Sequence, residues 1–497
     1  MTIGAGLALA VGLTPVFASV SVTPPVQVLD HPLAVAGNPT CTALVAQELS
    51  ALPTARNYLN AEVEPWIAAT GDGRYIGAFQ QDRWSDGGAN GLTVALFDGT
   101  SWKLAASQPK FSICAGAAQG TPGHRQRATD PWITVTPDGT AYVISDSFDA
   151  TGPGFGGPST ILISRSTDGG DHWGDPVSVE LDSGAGVLND KESITADPTN
   201  ANNVYAVWDK LINPSLTASF DAFNHTFAFK GPAMFARTTD GGKTWSQGRE
   251  IFDPGEFNQT IGNQILVEPD GVLVDVFDLI NNEHGPRGHN ATTTFQVAVI
   301  TSHDQGNTWS APTIVASIVD TPINTLDGHA IRTGDILPEA AVNPTNGKLY
   351  VAWQTDAKVD VSQSADDGAM WSPAVTISRS APAQAFTPSI GVAADGTVGV
   401  SYYDLRHATS AHPGNTDTWF DTCSSACTSA AAWSEAQLDT SGGFDMKAAP
   451  LTGSGFFVGD YESIAPSGAA GFRPLWVMAR PGTSADPTNP FSSTVNS

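Results

Sequence analysis

Ser166-Thr167-Asp168-Gly169-Gly170-Asp171-His172-Trp173 is written three more times along the chain. Thr238-Thr239-Asp240-Gly241-Gly242-Lys243-Thr244-Trp245, Ser302-His303-Asp304-Gln305-Gly306-Asn307-Thr308-Trp309 and Ser364-Ala365-Asp366-Asp367-Gly368-Ala369-Met370-Trp371 share the pattern (Ser/Thr)-x-Asp-x-Gly-x-x-Trp. Each follows a short apolar run, which predicts a hairpin turn. The Asp carboxylate accepts from backbone N–H groups just ahead of it, and Gly takes the positive φ the turn requires. Trp then opens the next strand and buries a large ring between neighbouring units. Weaker copies end at Trp102 and Trp433, so the six Trp residues are separated by 71, 72, 64, 62 and 62 positions. Repeats of that length, built of short strands, predict propeller blades of four strands each.

A second repeat runs in phase with the first. Strands with polar or acidic starts are expected at 62–67, 130–133, 190–194, 263–266, 338–341, 387–390 and 459–464. Each precedes a strand of period-2 pattern, among them Tyr75–Gln80, Val204–Trp208 and Leu475–Met478. Seven openings against six Trp turns leave the last unit short of strands. The expected fold is therefore all-β: a β-propeller of seven four-stranded blades, six being the alternative, closed by the N-terminal arm. An open sheet edge would otherwise invite mispairing. The expected division is a signal-peptide-like segment at 1–20, the arm at 21–60, the propeller at 61–481 and a polar tail at 482–497.

Among 497 residues, 50 acidic and 23 basic side chains leave a formal charge of −27. Such a surface repels phosphate backbones and anionic lipid, so neither nucleic acid nor a membrane is an expected partner. The chain is expected to act as a monomer. Residues 1–20 read as the apolar core of a secretion signal, with no basic residue ahead of it, and predict an extracellular protein. Four Cys in that compartment predict two disulfides. Cys41 with Cys114 would tie the arm to the first blade, and Cys423 with Cys427 would close a small loop.

In a propeller, first-strand starts and second-strand ends emerge on one face, and the Trp turns lie on the opposite rim. The turns are thus read as scaffold. The second-strand ends carry Asp82-Arg83, Asp146, Asp209-Lys210, Asp278, Asp356 and Asp404-Leu405-Arg406. The first-strand starts add Glu64, Asp130, Asp190, Lys191, Glu192, Glu339, Asp460, Tyr461 and Glu462. Carboxylates crowded at a channel mouth raise one another's pKa, which is how a general acid is made at neutral pH. Arg is scarce, 14 in all, and Arg83, Arg127, Arg332 and Arg406 fall near this face. The structural use of the same residues is to cap turns or to pair across blades. No cofactor is expected; Ca²⁺ held among the carboxylates as a structural ion is the competing use, and no zinc or EF-hand spacing is present.

From Glu62 to Arg480 the chain resembles secreted Asp-box (BNR) repeat proteins of the sialidase-like β-propeller superfamily. Besides the four turns, Glu64-Pro65-Trp66-Ile67-Ala68, Gln80-Gln81-Asp82-Arg83-Trp84-Ser85, Asp130-Pro131-Trp132, Tyr402-Tyr403-Asp404-Leu405-Arg406 and Val458-Gly459-Asp460-Tyr461 carry the resemblance. It implies a glycoside hydrolase acting on an anionic glycan, a sialoside by default. It further implies Asp82 or Asp130 as acid/base and Tyr403 or Tyr461 as nucleophile, partnered by Glu462, Glu339 or Glu192. Arg83, Arg127, Arg332 and Arg406 would supply a clamp on the sugar carboxylate, with Lys191, Asp209 and Asp404 as further substrate contacts. Two departures stand against it: the Arg-Ile-Pro signature of sialidases is absent, and sialidases have six blades. Two alternatives follow. In a propeller lyase, an Arg would neutralise a uronate while His124, His329 or a Tyr takes the neighbouring proton. In a non-catalytic propeller, the charged face would only recognise a glycan or a protein.

Overall fold

A computed structural model describes residues 20–29, 33, 38–151, 157–184, 186–212, 230–283, 292–379, 384–439, 442–480 and 487–496. The expected signal segment thus lies outside the described residues except for Val20. The described chain is nearly all β, organised as successive mostly antiparallel groups of strands, the first two joined edge to edge where Ala89 pairs with Ala128. The first holds Val63–Ala69, Tyr75–Arg83, Ala89–Phe97 and Trp102–Leu104. The second holds Arg127–Val135, Ala141–Phe148, Ser159–Ser166 and Val177–Asp182. Four more follow the same plan, opening with Val187–Ala196, Gln259–Val267, Glu339–Val342 and Ala385–Val392. The last is six-stranded: Ser463–Ser467, Gly471–Ala479 and Thr488–Ser492 are joined by Val26–Gln27, Ser21–Val22 and Val495–Asn496, two of these from the other end of the chain. The opening strands neighbour one another in chain order, and Ser463–Ser467 touches both Ala385–Val392 and Val63–Ala69.

The stretch read as a polar tail is therefore partly sheet. Thr488–Ser492 pairs with Leu475–Ala479, and its polar residues are buried by specific partners. Asn489, for one, donates to Glu62 at 2.9 Å. Composition alone suggests solvent there; an unpaired strand edge needing a partner decides otherwise.

The repeated turns have the expected bonding. Asp240 Oδ1 accepts from the backbone of Lys243 and Thr244 at 3.0 and 2.9 Å, and Gly242 N donates to Thr238 Oγ1 at 3.0 Å. Asp168, Asp304 and Asp366 make the matching bond to the residue four positions on. Each Trp packs onto the preceding sheet: Trp173 joins Ile76 and Leu96, Trp245 meets Tyr142 edge-on, and Trp309 meets Phe235. Trp245 is only half-buried. Its replacement by Ala should cost about 2 kcal/mol, roughly half the cost of a fully buried ring. Urea denaturation would check this, and a wild-type midpoint would show that the ring bears no load between sheets.

An α-helix, Pro39–Ala51, rides on this assembly. Asn38 caps it through Cys41 N, and Pro39 opens it with the fixed φ that first-turn positions favour. Cys41 is bonded to Cys114, and Cys423 to Cys427, the two pairings expected. Glu48 on the buried face reaches Arg127 at 2.8 Å.

Candidate active site

The opening strands share a local irregularity that places the chemistry. Register shifts fall between Val63 and Trp66, Thr129 and Trp132, Asp190 and Ser193, Ile261 and Gln264, and Phe386 and Ser389. These are bulges, and each contains one residue in the left-handed region: Glu64 at φ 53°, Asp130 at 50°, Lys191 at 48°, Gly262 at 70° and Thr387 at 49°. A non-glycine residue there costs of order 1–3 kcal/mol and is kept only where its surroundings hold it. Three of the five carry a charged side chain, and those three side chains meet.

Lys191 Nζ lies 3.1 Å from Glu64 Oε1, 3.3 Å from Asp130 Oδ1 and 3.0 Å from Asp460 Oδ2. Asp460 comes from the entry to the last sheet, where Gly459 at φ 144° permits close approach to the Glu64 backbone. Arg332 grips the same Asp460 through both Nε, at 3.0 Å, and Nη2. A small mixed sheet delivers it: Ala330–Arg332 runs parallel to Gly455–Phe457, with Arg332 opposite Phe457. Arg83 shares that ring, its guanidinium 4.8 Å from the Phe457 centroid and that of Arg332 4.4 Å from it. Arg83 also donates to Gln80 at 2.8 Å and stands 4.0 Å from Glu64. Trp66 and Trp132 stack, and Tyr461 meets both at about 6 Å, with its ring 5.4 Å from the Lys191 ammonium.

Burial sets the protonation. It pushes Glu64 up to about 8, Lys191 pulling down against it and Asp130 and Asp460 adding to the rise. Burial likewise raises Asp130, and it raises Glu192 well above the carboxyl range with the help of Asp130 and Asp146. For Lys191 burial alone would favour the neutral amine, but Asp130, Asp460 and Glu64 outweigh it and keep the ammonium. Tyr461 is raised by burial and by the same carboxylates, so it is a phenol rather than a phenolate. The cluster thus contains a protonated carboxyl beside a carboxylate, Asp460, held between two cations. One can give a proton, and the other can face developing positive charge.

Of the candidates expected from the sequence, Arg83, Asp130, Lys191, Arg332 and Tyr461 come together here. The others stand elsewhere. Asp82 accepts from Leu33 N at 2.7 Å and Asn60 N at 2.9 Å, which makes it an anchor for the N-terminal arm. Arg127 is held by Glu48 and Asp86 over the Trp84 ring, fastening the helix. Asp209 accepts from Gly262 N at 2.9 Å and also from Asn263, bracing the next sheet's bulge. Arg406 is closed between Asp404 and Glu435 at 2.5 and 2.8 Å, 3.6 Å over Trp419, whose indole N–H also donates to Asp404. Tyr403 both donates to and accepts from the Val477 backbone inside an aromatic core, with Glu462 buried beside it and raised to about 8. A four-arginine clamp therefore does not assemble: two of the four are struts. The repeat puts Glu64, Asp460, Glu192 and Glu339 on the right face without marking Glu64 or Asp460 as central. The signal for Glu64 is the shared phase of Glu64-Pro65, Asp130-Pro131 and Thr387-Pro388 with Lys191-Glu192. Among the described residues, no group of three or more His, Cys, Asp or Glu side chains is disposed to hold a metal ion.

Two measurements check these assignments. Arg406→Ala should lower stability by about 1–2 kcal/mol, the range of a partly exposed ion pair combined with a cation–π contact, and leave any activity intact. Loss of activity at unchanged melting temperature would return Arg406 to the site. Second, carboxyls such as Glu64 and Glu462, at about 8, and Asp335, at about 7, hold their protons more tightly folded than unfolded. Their contribution is complete below the ordinary carboxyl range and is lost as pH rises through 7 to 8. Turn residues such as Asp168 and Asp240, lowered to about 2, act in the opposite sense below pH 4. Thermal midpoints should peak near pH 4–5 and fall toward pH 8; a midpoint flat or rising over that interval would contradict the burial of these carboxyls.

No protein-family model matches the chain. A sialidase of Micromonospora viridifaciens is 28% identical over 296 residues, which cover 54% of this chain and 39% of that protein. The chain thus spans about two fifths of the length of the curated relative it matches. Among solved structures, an α-L-arabinofuranosidase of Fusarium graminearum bound to an iminosugar inhibitor aligns with TM-score 0.48 at 13% identity, covering 95% of this chain and 97% of its own. A microbial sialidase designated Hz136 aligns with TM-score 0.47 at 14% identity, covering 84% and 76%.

Proposed function

We propose that the chain is a secreted, monomeric glycoside hydrolase built as a seven-bladed β-propeller closed by its N-terminal arm, with the Lys191 cluster as its reaction centre. The succession of opening strands and the Val26–Gln27 pairing support the blade count and the closure. Two disulfides and the apolar opening segment support secretion. Similarity to a sialidase supports the substrate class.

The observation that carries the reading is the placement of Glu64 and Asp460 on one ammonium, 3.1 and 3.0 Å from Lys191 Nζ, with burial raising the Glu64 carboxyl. Glu64 would protonate the leaving oxygen of a glycosidic bond. Asp460, oriented by Lys191 and Arg332, would stabilise the positive charge that develops on the sugar or receive it covalently. Tyr461, with its hydroxyl toward Pro131 O, serves as an aromatic wall. A sialoside is the first substrate to try, with Arg83 and Arg332 as the guanidiniums at hand. The test is a panel of sialosides, neutral glycosides and uronate-containing polysaccharides, read for both reducing sugar and ultraviolet-absorbing product. Released sugar is expected; an unsaturated product would make the chain a lyase.

A second reading is favoured by the near-total burial of Glu64, Asp130 and Asp460, at 1, 3 and 2% exposure. In it, the cluster is an assembly strut in a glycan-binding propeller. Retention of a glycan with no turnover of any panel member would select it.

A further inference from the structure

Neighbouring residues on a strand point to opposite faces, and Gln80 and Gln81 on Tyr75–Arg83 are divided in that way. Gln81 donates to Glu62, which also accepts from Asn489 of the last sheet. Gln80 turns to the reaction centre and is buried beside the bulge that carries Glu64. The two ends of an amide have the same shape, so its orientation is read from its partners. Arg83 Nη1 can only donate, and it lies 2.8 Å from one end of the Gln80 amide, so that end is the oxygen. The nitrogen then meets Glu64 Oε2, Thr129 Oγ1 at 2.8 Å and Asp130 Oδ1 at 3.4 Å.

With that orientation every bond runs one way. Arg83 donates to Gln80, Gln80 donates to Glu64 and Thr129, and the Thr129 hydroxyl donates to Asp130 Oδ1 at 3.2 Å. A guanidinium is thus joined through one amide to two carboxyl groups, each at the accepting end. A donor on a carboxyl favours its ionised form, and the bond strengthens once the proton has left. The charged and titratable groups facing Glu64 are Lys191, Asp130, Asp460 and Arg83, with Arg332 and Tyr461 behind them. They divide between its two oxygens. Lys191 Nζ and Asp460 N reach Oε1 at 3.1 and 3.3 Å, whereas Gln80 donates to Oε2 and Arg83 stays 4.0 Å from it.

We propose that Gln80 is the positioning residue of the reaction centre: clamped by Arg83, it fixes the Glu64 carboxyl through Oε2 and helps it release the proton that the glycosidic oxygen takes. This rests on the reading of Glu64 as the acid and adds what holds it. Gln80 acts through Glu64, and its bond to Oε2 persists while the proton moves to the leaving group.

The test uses two variants of the full chain: Gln80→Met, which keeps the length and loses the donor, and Gln80→Glu, which puts an acceptor there. Infrared spectra across about pH 4 to 10 follow the carboxyl C=O band that Glu64→Gln removes. In Gln80→Met its midpoint should rise by about one pH unit, the worth of one donor to a carboxylate, and in Gln80→Glu by at least as much. A packing role would change stability and leave that midpoint in place. On any glycoside the chain cleaves, the alkaline limb of kcat/KM should move with the band. The proposal is overturned by an unchanged or lowered midpoint in folded Gln80→Met, or by a wild-type Glu64 with no band in this range. If only Gln80→Glu folds, its midpoint decides; if neither folds, Gln80 is a strut and the proposal falls. A shifted midpoint without cleavage of any glycoside would sink the hydrolase reading and leave the hold of Gln80 on Glu64 standing. Glu64-dependent cleavage with the midpoint unmoved would do the reverse.

Discussion

Glu64→Gln should lower kcat about 10²–10⁴-fold on any glycoside the chain hydrolyses, the usual worth of a positioned general acid. The side chain is 1% exposed, and Gln80 Nε2 donates to its Oε2 while Lys191 reaches its Oε1. Glutamine has the same shape and keeps an oxygen for Lys191 but turns an amide donor toward the Gln80 donor, so some stability should be lost and turnover is compared in the folded variant. What it cannot do is release a proton. The wild-type profile of kcat/KM should therefore fall through an apparent pKa near 8, where Glu64 loses its proton, and the variant's residual rate should lack that limb. Unchanged turnover in a folded variant would remove Glu64 from the chemistry. A lost limb with unchanged kcat at pH 6 would mean that Glu64 only tunes a neighbour such as Asp130.

Lys191→Met should cost about 3–5 kcal/mol at pH 8, the penalty for leaving buried carboxylates without their counter-ion. Three carboxyl groups lean on this ammonium, and the side chain is 5% exposed. The loss should shrink toward pH 5, because Glu64 and Asp130, raised by burial, can stay neutral there and need no cation. The sign is fixed by linkage: removing the ammonium raises those folded-state pKa values further, so stability is lost as pH climbs through them. Equilibrium urea unfolding at pH 5 and pH 8 would measure it. A variant with the wild-type midpoint at pH 8 would show that water reaches the cluster.

The repeated turn was legible because its chemistry is local. An Asp followed by Gly and Trp at fixed spacing can only close over its own backbone, and Asp240 bonding to Lys243 and Thr244 is what that spacing dictates. Disulfide pairing was legible for a similar reason, since Cys423 and Cys427 are four residues apart. Site membership was only half legible. Asp82, Asp209 and Asp404 recur at second-strand ends on the face where Asp130 opens a first strand, yet position along a strand does not say whether a carboxylate points inward or folds back to cap backbone N–H groups. That is decided by the bulge, which turns Glu64, Asp130 and Lys191 together, and by sequence-distant partners such as Glu48 for Arg127 and Glu435 for Arg406. Asp460 needed Arg332, 128 positions away, to be seen as a fixed anion.

The joining of Val26–Gln27 to Phe491–Ser492 bears on how the molecule is made. During synthesis the first of these segments is made long before the second and lacks this partner until Phe491–Ser492 follows. Closure of this sheet thus waits for the later strand, and until then both partner edges need protection from other chains. A circular permutant that links the old ends and opens the chain at an exposed turn, such as that of Asp366–Trp371, would make the pairing local and should reach the native state faster.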